Sequence, residues 1–459
     1  MNAAVSTKRV GRDLTQGPIL KTLIQFAIPM LLASIIQQLY GMVDLAVIGK
    51  FVGDAGTVGV STGGEFIDLL TPFATALATA GQIYIAQLRG ANETAKTQKA
   101  IGTLCSMMLI ASAVFLVMAV AGHRIVLDFL NCPPDAYGQA RDYMLITALG
   151  MPFIFSYNAI CGILRGVGES KRPLIFVTVA AIVNIFADIL FVAVFHMEAA
   201  GTAIATVLSQ LGSCVAALIF MIRRRDAFGL EFKWEFFKPD MDAVRIILQQ
   251  GVPIFAKTLI IHFAMIWVSA NVNLLGMTAS ATNNIGNKIQ KFFNAFTIAV
   301  DSACASVIAQ NLGARKIERT RKIVLTTLVS CLVMATVFSL ISVLFPRQLF
   351  GIFTDSAETI ELGVTYLRIM VVMYYLSAVG GSLQSIVTGS GFASLSFVIG
   401  IMDGLVCRVA ISYVLGIVLG MGVIGFFWGT ALARTLGCFI SFGYFASGKW
   451  KTRKLLSER

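Results

Sequence analysis

Two aspartates interrupt long apolar runs, Asp44 in "IIQQLYGMVDLAVIGK" and Asp188 in "IVNIFADILFVAVF". Gln37, Tyr40 and Asp44 recur at intervals of three and four, and Asn184 precedes Asp188 by four, so each set falls on one face of a helix. Tyr40 could donate to the Asp44 carboxylate, and Asn184 could orient Asp188 or share a cation with it. An ionisable group at membrane depth costs several kcal/mol and normally faces a cavity or a partner. Packing alone is better served by Asn or Ser, at far lower desolvation cost. Burial penalises the charged form of a carboxylic acid and a second carboxylate penalises it further, so a close pair can take up and release protons; the same oxygens suit Na+. The chemistry on offer is ion exchange. Bond-making chemistry has no support: there is no Ser/His pair, no metal constellation of His, Asp and Glu, and no P-loop, so neither a metal nor ATP is expected to act on this chain. The eight cysteines stand singly and read as small packing residues.

The elements that must position these residues follow from composition. With 57% hydrophobic residues, 13% charged residues and a mean hydropathy of +0.81, the chain is excluded from the soluble globular class. Apolar segments of about 20 residues, enough to cross a hydrocarbon core, predict twelve spans: 20–47, 56–87, 99–122, 140–163, 173–195, 201–222, 246–272, 280–311, 323–345, 359–386, 394–417 and 423–446. The polar opening "MNAAVSTKRVGRDLTQGPILK" precedes a span too long for a cleaved leader, so no removable signal peptide is expected. Basic residues are retained on the cytoplasmic side. With the N-terminus inside, 26 of the 36 lie in inner segments or at the inner ends of spans, and only Lys50, Arg124, Arg141 and Arg347 in outer loops or at outer span ends. Both termini are therefore expected in the cytoplasm, and topology accounts for the net charge of +12 without a nucleic-acid partner.

The chain also repeats itself. "IAQLRGANETAKTQK" from Ile85 returns as "IAQNLGARKIERTRK" from Ile308, identical at seven of fifteen positions. Pro29 matches Pro253, Tyr143 matches Tyr366, "RGVG" at 165–168 matches "TGSG" at 388–391, and Thr206 matches Thr430, all at an offset of 223 or 224. Six spans per copy is an even number, so the repeat is parallel about an axis along the membrane normal. The expected architecture is all-α: a cytoplasmic segment (1–19), a six-helix bundle (20–222), a cytoplasmic linker (223–245), a second six-helix bundle (246–446) and a cytoplasmic tail (447–459). Two such bundles can rock about a central cleft so that a site near the midplane faces each side in turn.

The motifs "IIQQLYGMVDLAVIGKFVG", "LRGVGESKRP", "NIFAD", "GTAIAT" and "IAQNLGA" resemble the multidrug and toxic compound extrusion (MATE) family over essentially the whole chain. The resemblance implies a twelve-helix antiporter of the bacterial cytoplasmic membrane that expels amphipathic, often cationic, small organic molecules in exchange for H+ or Na+. It would work as a monomer in membrane lipid, with no other cofactor and no ATPase subunit. Similarity to the DinF-like branch implies a cation-linked network of Asp44, Asn184, Asp188 and Thr206, with Gln37, Tyr40, Tyr143 and Asn158 along the adjoining cavity. The second bundle departs from this pattern: Val268 stands at the position of Asp44, and Arg408 and Ser412 at those of Asn184 and Asp188. Where the NorM-like branch carries acids, the chain has His262 and Ser377, which argues against a NorM-like sodium site. His262, with Lys257 five residues before it, and Asp301 remain as cavity candidates. A lone His is more often a packing residue. The register also sets Glu65 against Lys288 and Asp68 against Lys291, an inverted charge pair that could act as an extracellular gate. The nearest alternative function is a lipid-linked oligosaccharide flippase of the same superfamily, expected to have a strongly basic cavity and often extra helices.

Overall fold

In hydrocarbon every backbone N–H and C=O must be paired within its own segment, and a chain this apolar meets that demand as helix. The computed structural model describes residues 11–228 and 234–459, and among these it contains helices and no strand. The first half runs α1 (Ile19–Phe51), α2 (Asp54–Gly90), α3 (Thr94–Phe129), α4 (Pro134–Leu149), α5 (Met151–Gly166), α6 (Lys171–Asp188), α7 (Glu198–Arg223) and a short α8 (Arg225–Phe228). The second runs α9 (Met241–Asn273), α10 (Met277–Gly313), α11 (Ile317–Leu344), α12 (Pro346–Gly351), α13 (Ala357–Gly389), α14 (Ala393–Ile401), α15 (Val423–Ala431), α16 (Thr435–Ala446) and α17 (Lys449–Thr452).

Among the described residues, eleven helical segments are long and apolar enough to cross a bilayer, and α4 with α5 make a twelfth that is bent by 47°. The span expected at 140–163 is therefore two helices. Pro152 near the start of α5 lacks an N–H and its ring crowds the preceding turn, which breaks the helix at Gly150. Two other spans leave α geometry. α6 continues directly from Asp188 as a π-helix over Ile189–Val194, and α14 continues as π-helix over Met402–Ile411 and Val414–Val418. Such segments re-aim side chains and are frequent at functional sites.

The chain forms two compact units. The first comprises Ile28–Gly251 with the segment ending at Asp13, and the second Leu14–Ala27 with Val252–Arg459. The cuts in α1 and α9 fall at Ile28 and Val252, 224 residues apart, which is the offset of the sequence repeat. Each unit is held by small residues that let helices approach closely. A Cβ on Gly166 of α5 would lie 2.9 Å from the Gln82 carbonyl of α2, and one on Gly389 of α13 would lie 2.9 Å from the Ala305 carbonyl of α10. Both members of these pairs differ by 223, so the repeat is a repeat of contacts.

In the first unit the segment after α8 docks on α3. Ser106 donates to the Phe237 carbonyl (2.7 Å), the Asp240 N–H donates to Thr103 (3.0 Å), and Lys99 pairs with Asp240 (3.3 Å). In the second unit the C-terminal tail is folded back: Trp450, Leu455 and Leu456 are buried, and the Arg453 guanidinium stacks 3.8 Å above the Phe392 ring. At the other end of the chain, the Leu14 N–H donates to Gln310 (3.2 Å) and Asn311 donates to the Leu14 carbonyl (3.1 Å), which seats the segment before α1 on α10.

Candidate functional site

Asp44 is placed by α1 and Asp188 by the last turn of α6, and the two carboxyl groups come within hydrogen-bond reach of each other. Two carboxylates only accept, so they can associate in this way only with a proton or a cation between them. Asp188 is fully buried and Asn184, one turn before it, nearly so. α7 packs antiparallel to α6; Gly201 lies against Phe191 and Ser213 donates to the Phe176 carbonyl, a register that sets Thr202 and Thr206 at the level of Asp188.

The polar atoms here are left open. Asp44 Oδ1, both Asp188 oxygens, both amide atoms of Asn184 and the hydroxyls of Thr202 and Thr206 are buried without a hydrogen-bond partner. Helical threonines normally return their hydroxyl to the carbonyl four residues back, as Thr71, Thr79 and Thr178 do here. Thr202 and Thr206 do not. Carboxylate, amide and hydroxyl oxygens on three helices form a hard, all-oxygen donor set of the kind that suits a proton or an alkali cation and holds no attraction for a soft metal. Both atoms of the Asn184 amide are unpartnered, so of its two expected roles the direct bond that would orient Asp188 is not made, and the shared cation is the one left open. Tyr40 lies within electrostatic reach of Asp44 without bonding to its Oδ1.

Tyr143 faces Asp44, Asp68, Asp188 and Tyr40, which places it beside the pair. Gln37 is exposed on α1, one turn from Tyr40. Asn158 turns its amide back on its own helix, donating to the Ile154 carbonyl (2.9 Å). Glu65 and Asp68 are exposed on α2 and sit eleven and fourteen residues inside its start at Asp54, about three turns or more below the helix end. In the second unit Lys288 and Lys291 are exposed on α10, eleven and fourteen residues after Met277, and the Lys288 ammonium sits 5.8 Å from the Phe353 ring. His262 is exposed on α9 with Nδ1 3.4 Å from the Thr258 carbonyl.

Asp301 is not isolated. It shares the interior of the second unit with Lys257 and Arg434, and these share it with Asp403 and Arg408. The sequence marks Lys257 as a possible cleft-lining residue and Arg408 as a departure from the first bundle's pattern, and it does not single out Asp403 or Arg434. The signal was the one used for Asp44, a charge in an apolar run. Thr202, likewise unremarked, is marked in the sequence only by its spacing of four from Thr206.

The MatE family profile matches residues 29–190 and again 253–414. The probable multidrug resistance protein YoeA of Bacillus subtilis is 23% identical over 438 residues, 94% of each chain. The multidrug export protein MepA of Staphylococcus saprophyticus is 20% identical, with 92% of each chain covered. Among solved structures, an outward-facing multidrug resistance MATE transporter of the MOP superfamily superposes with a TM-score of 0.90 at 19% identity, over 97% of this chain and all of that one.

Proposed function

Since the chain belongs to the MatE family, with two tandem copies of the family's repeat, we propose that it is a secondary antiporter of the cytoplasmic membrane. It would export amphipathic organic compounds, cationic ones included, in exchange for H+ or Na+. The observation that carries this reading is the Asp44–Asp188 contact. Two buried carboxyls that must share a proton or a cation form an element with two states, ion-bound and ion-free, and the cost of emptying it is large enough to bias a conformational equilibrium. Asn184, Thr202 and Thr206 supply the remaining oxygens when Na+ is bound, and Tyr40 and Tyr143 give the pair a polar, aromatic wall on which an amphipathic cation could stack. The relatives' names, multidrug resistance and multidrug export, support the cargo class.

The charge asymmetry supports both termini in the cytoplasm. The fold, with one donor set in one chain, supports a working monomer. No ATPase subunit enters the scheme. The test is transport by purified protein in liposomes, with a proton gradient and a sodium gradient imposed separately and a cationic dye as reporter. Uptake driven by either ion supports antiport. Dye movement that follows its own gradient at the same rate whichever ion gradient is imposed would overturn it.

A further inference from the structure

At the repeat offset of 224, Asp44, Asn184, Asp188 and Thr206 correspond to Val268, Arg408, Ser412 and Thr430. The second unit thus keeps these repeat positions and inverts their charge. Val268 is buried among apolar neighbours. The tyrosines correspond as well: Tyr143 faces Asp188, and its counterpart Tyr366 faces Arg408. Both pockets adjoin a π-helical stretch, which follows Asp188 in one and contains Asp403 and Arg408 in the other.

Arg408 faces Asp403 and Arg434, and these face Lys257 and Asp301; the five lie between ten and sixteen residues inside the span ends at Met241, Gly313, Ala393 and Ala446. Three glycines make room for them. A Cβ on Gly381 would lie 2.6 Å from Asp301 Oδ1, one on Gly400 would strike the Lys257 stem, and one on Gly437 would strike the Asp403 carboxylate. The ion pairs found among the described residues lie elsewhere, so these five charges act on one another only at longer range. Arg408 Nε, Asp301 Oδ1, Asp403 Oδ1 and the fully buried Ser412 hydroxyl have no hydrogen-bond partner. Three cations against two carboxylates leave one positive charge in excess. An uncompensated charge inside a span is costly, and the guanidinium fork matches carboxylate, sulfonate and phosphate geometry.

We propose that the second unit binds the monoanionic group of an amphiphilic cargo at Arg408 and Ser412, in the polarity-inverted counterpart of the Asp44–Asp188 pocket. The excess charge of Lys257, Arg408 and Arg434 over Asp301 and Asp403 provides the attraction. The cargo class then includes organic anions and zwitterions. This rests on the transporter reading for its consequence, but the binding itself does not.

The experiment compares binding of octanesulfonate and octyltrimethylammonium, equal chains with opposite heads, to the full-length protein in phosphatidylcholine nanodiscs by calorimetry. Octanesulfonate should bind, and octyltrimethylammonium, which belongs to the acidic site of the first unit, should not compete with it. Arg408→Gln should weaken it roughly tenfold, the size of one lost charge-assisted hydrogen bond. Asp403→Asn should strengthen it, a gain that misfolding cannot imitate. His123→Gln, at the far end of α3 and outside both sites, should leave it unchanged, and because binding is read with no ion gradient imposed, loss of ion coupling and loss of the anion site are read separately. In phosphatidylglycerol discs, competition would identify a lipid headgroup as the occupant, and undiminished binding a free amphiphile. If octanesulfonate does not bind, or if Arg408→Gln and Asp403→Asn alter only the unfolding temperature and not its affinity, the cluster is a self-contained structural network and the proposal fails.

Discussion

At the scale of single residues, the proposed coupling site is two acids and the groups that keep them company. If Asp44 and Asp188 share one ion, neither works alone. Asp44→Asn and Asp188→Asn are each expected to abolish ion-coupled efflux in liposomes at unchanged expression, and the double variant should be no worse than either single one, since residues acting as a unit are not additive. Wild-type rates from both single variants would remove the first unit from the coupling scheme. Thr206→Val tests which ion is carried: losing one oxygen ligand should cost Na+-driven transport roughly tenfold and leave H+-driven transport near wild type, because a shared proton needs only the carboxyls. The acid pair was legible because Asp44 and Asp188 are lone charges in apolar runs with polar neighbours at helical spacing. The charged cluster of the second unit was not, although its members obey the same rule. Lys257, Asp301, Asp403 and Arg434 belong to four different spans, and periodicity within one span cannot tell which spans meet. The count of basic residues that orients the chain is silent on those lying inside spans.

At the scale of helices, close approach does the positioning. A Cβ on Gly166 or on Gly389 would lie 2.9 Å from a carbonyl of the neighbouring long helix, so Gly166→Leu and Gly389→Leu should both destabilise their units by about 1–3 kcal/mol through overpacking. Gly41 of α1 has nothing within 4 Å of its Cβ direction, and Gly41→Ala should instead stabilise by about 0.5–1 kcal/mol through helix propensity. Thermal unfolding of the detergent-purified variants checks all three, and equal losses at Gly166 and Gly389 would show that the repeat extends to energetics. The spans were readable from hydropathy, and even the break at Gly150 had a local signal in the "LGMPF" run. The π-helical stretches had none. They insert a residue without changing the apolar pattern, and only the three-dimensional register shows that Asp403 and Arg408 are re-aimed by one.

At the scale of the whole molecule, the remaining question is which way the chain lies in the membrane, and Cys132 offers a native reporter. It sits in the short connection between α3 and α4, half-exposed, while the other cysteines lie within helices and six of them are buried. Basic residues concentrate on the opposite helix ends, and retention of Lys and Arg inside predicts this connection outside and both termini in the cytoplasm. A membrane-impermeant maleimide added to intact cells should therefore label the wild-type protein, and Cys132→Ser should abolish the labelling. The pH dependence is fixed in sign. Partial burial holds the Cys132 thiol above its ordinary value, so the reactive thiolate is a minority species at neutral pH, and the labelling rate should climb by about tenfold per pH unit through the mildly alkaline range. Flat labelling over that range would mean the reacting thiol is a different one. Labelling that appears only after the membrane is permeabilised would invert the topology, and with it the direction in which the Asp44–Asp188 pair must release its ion.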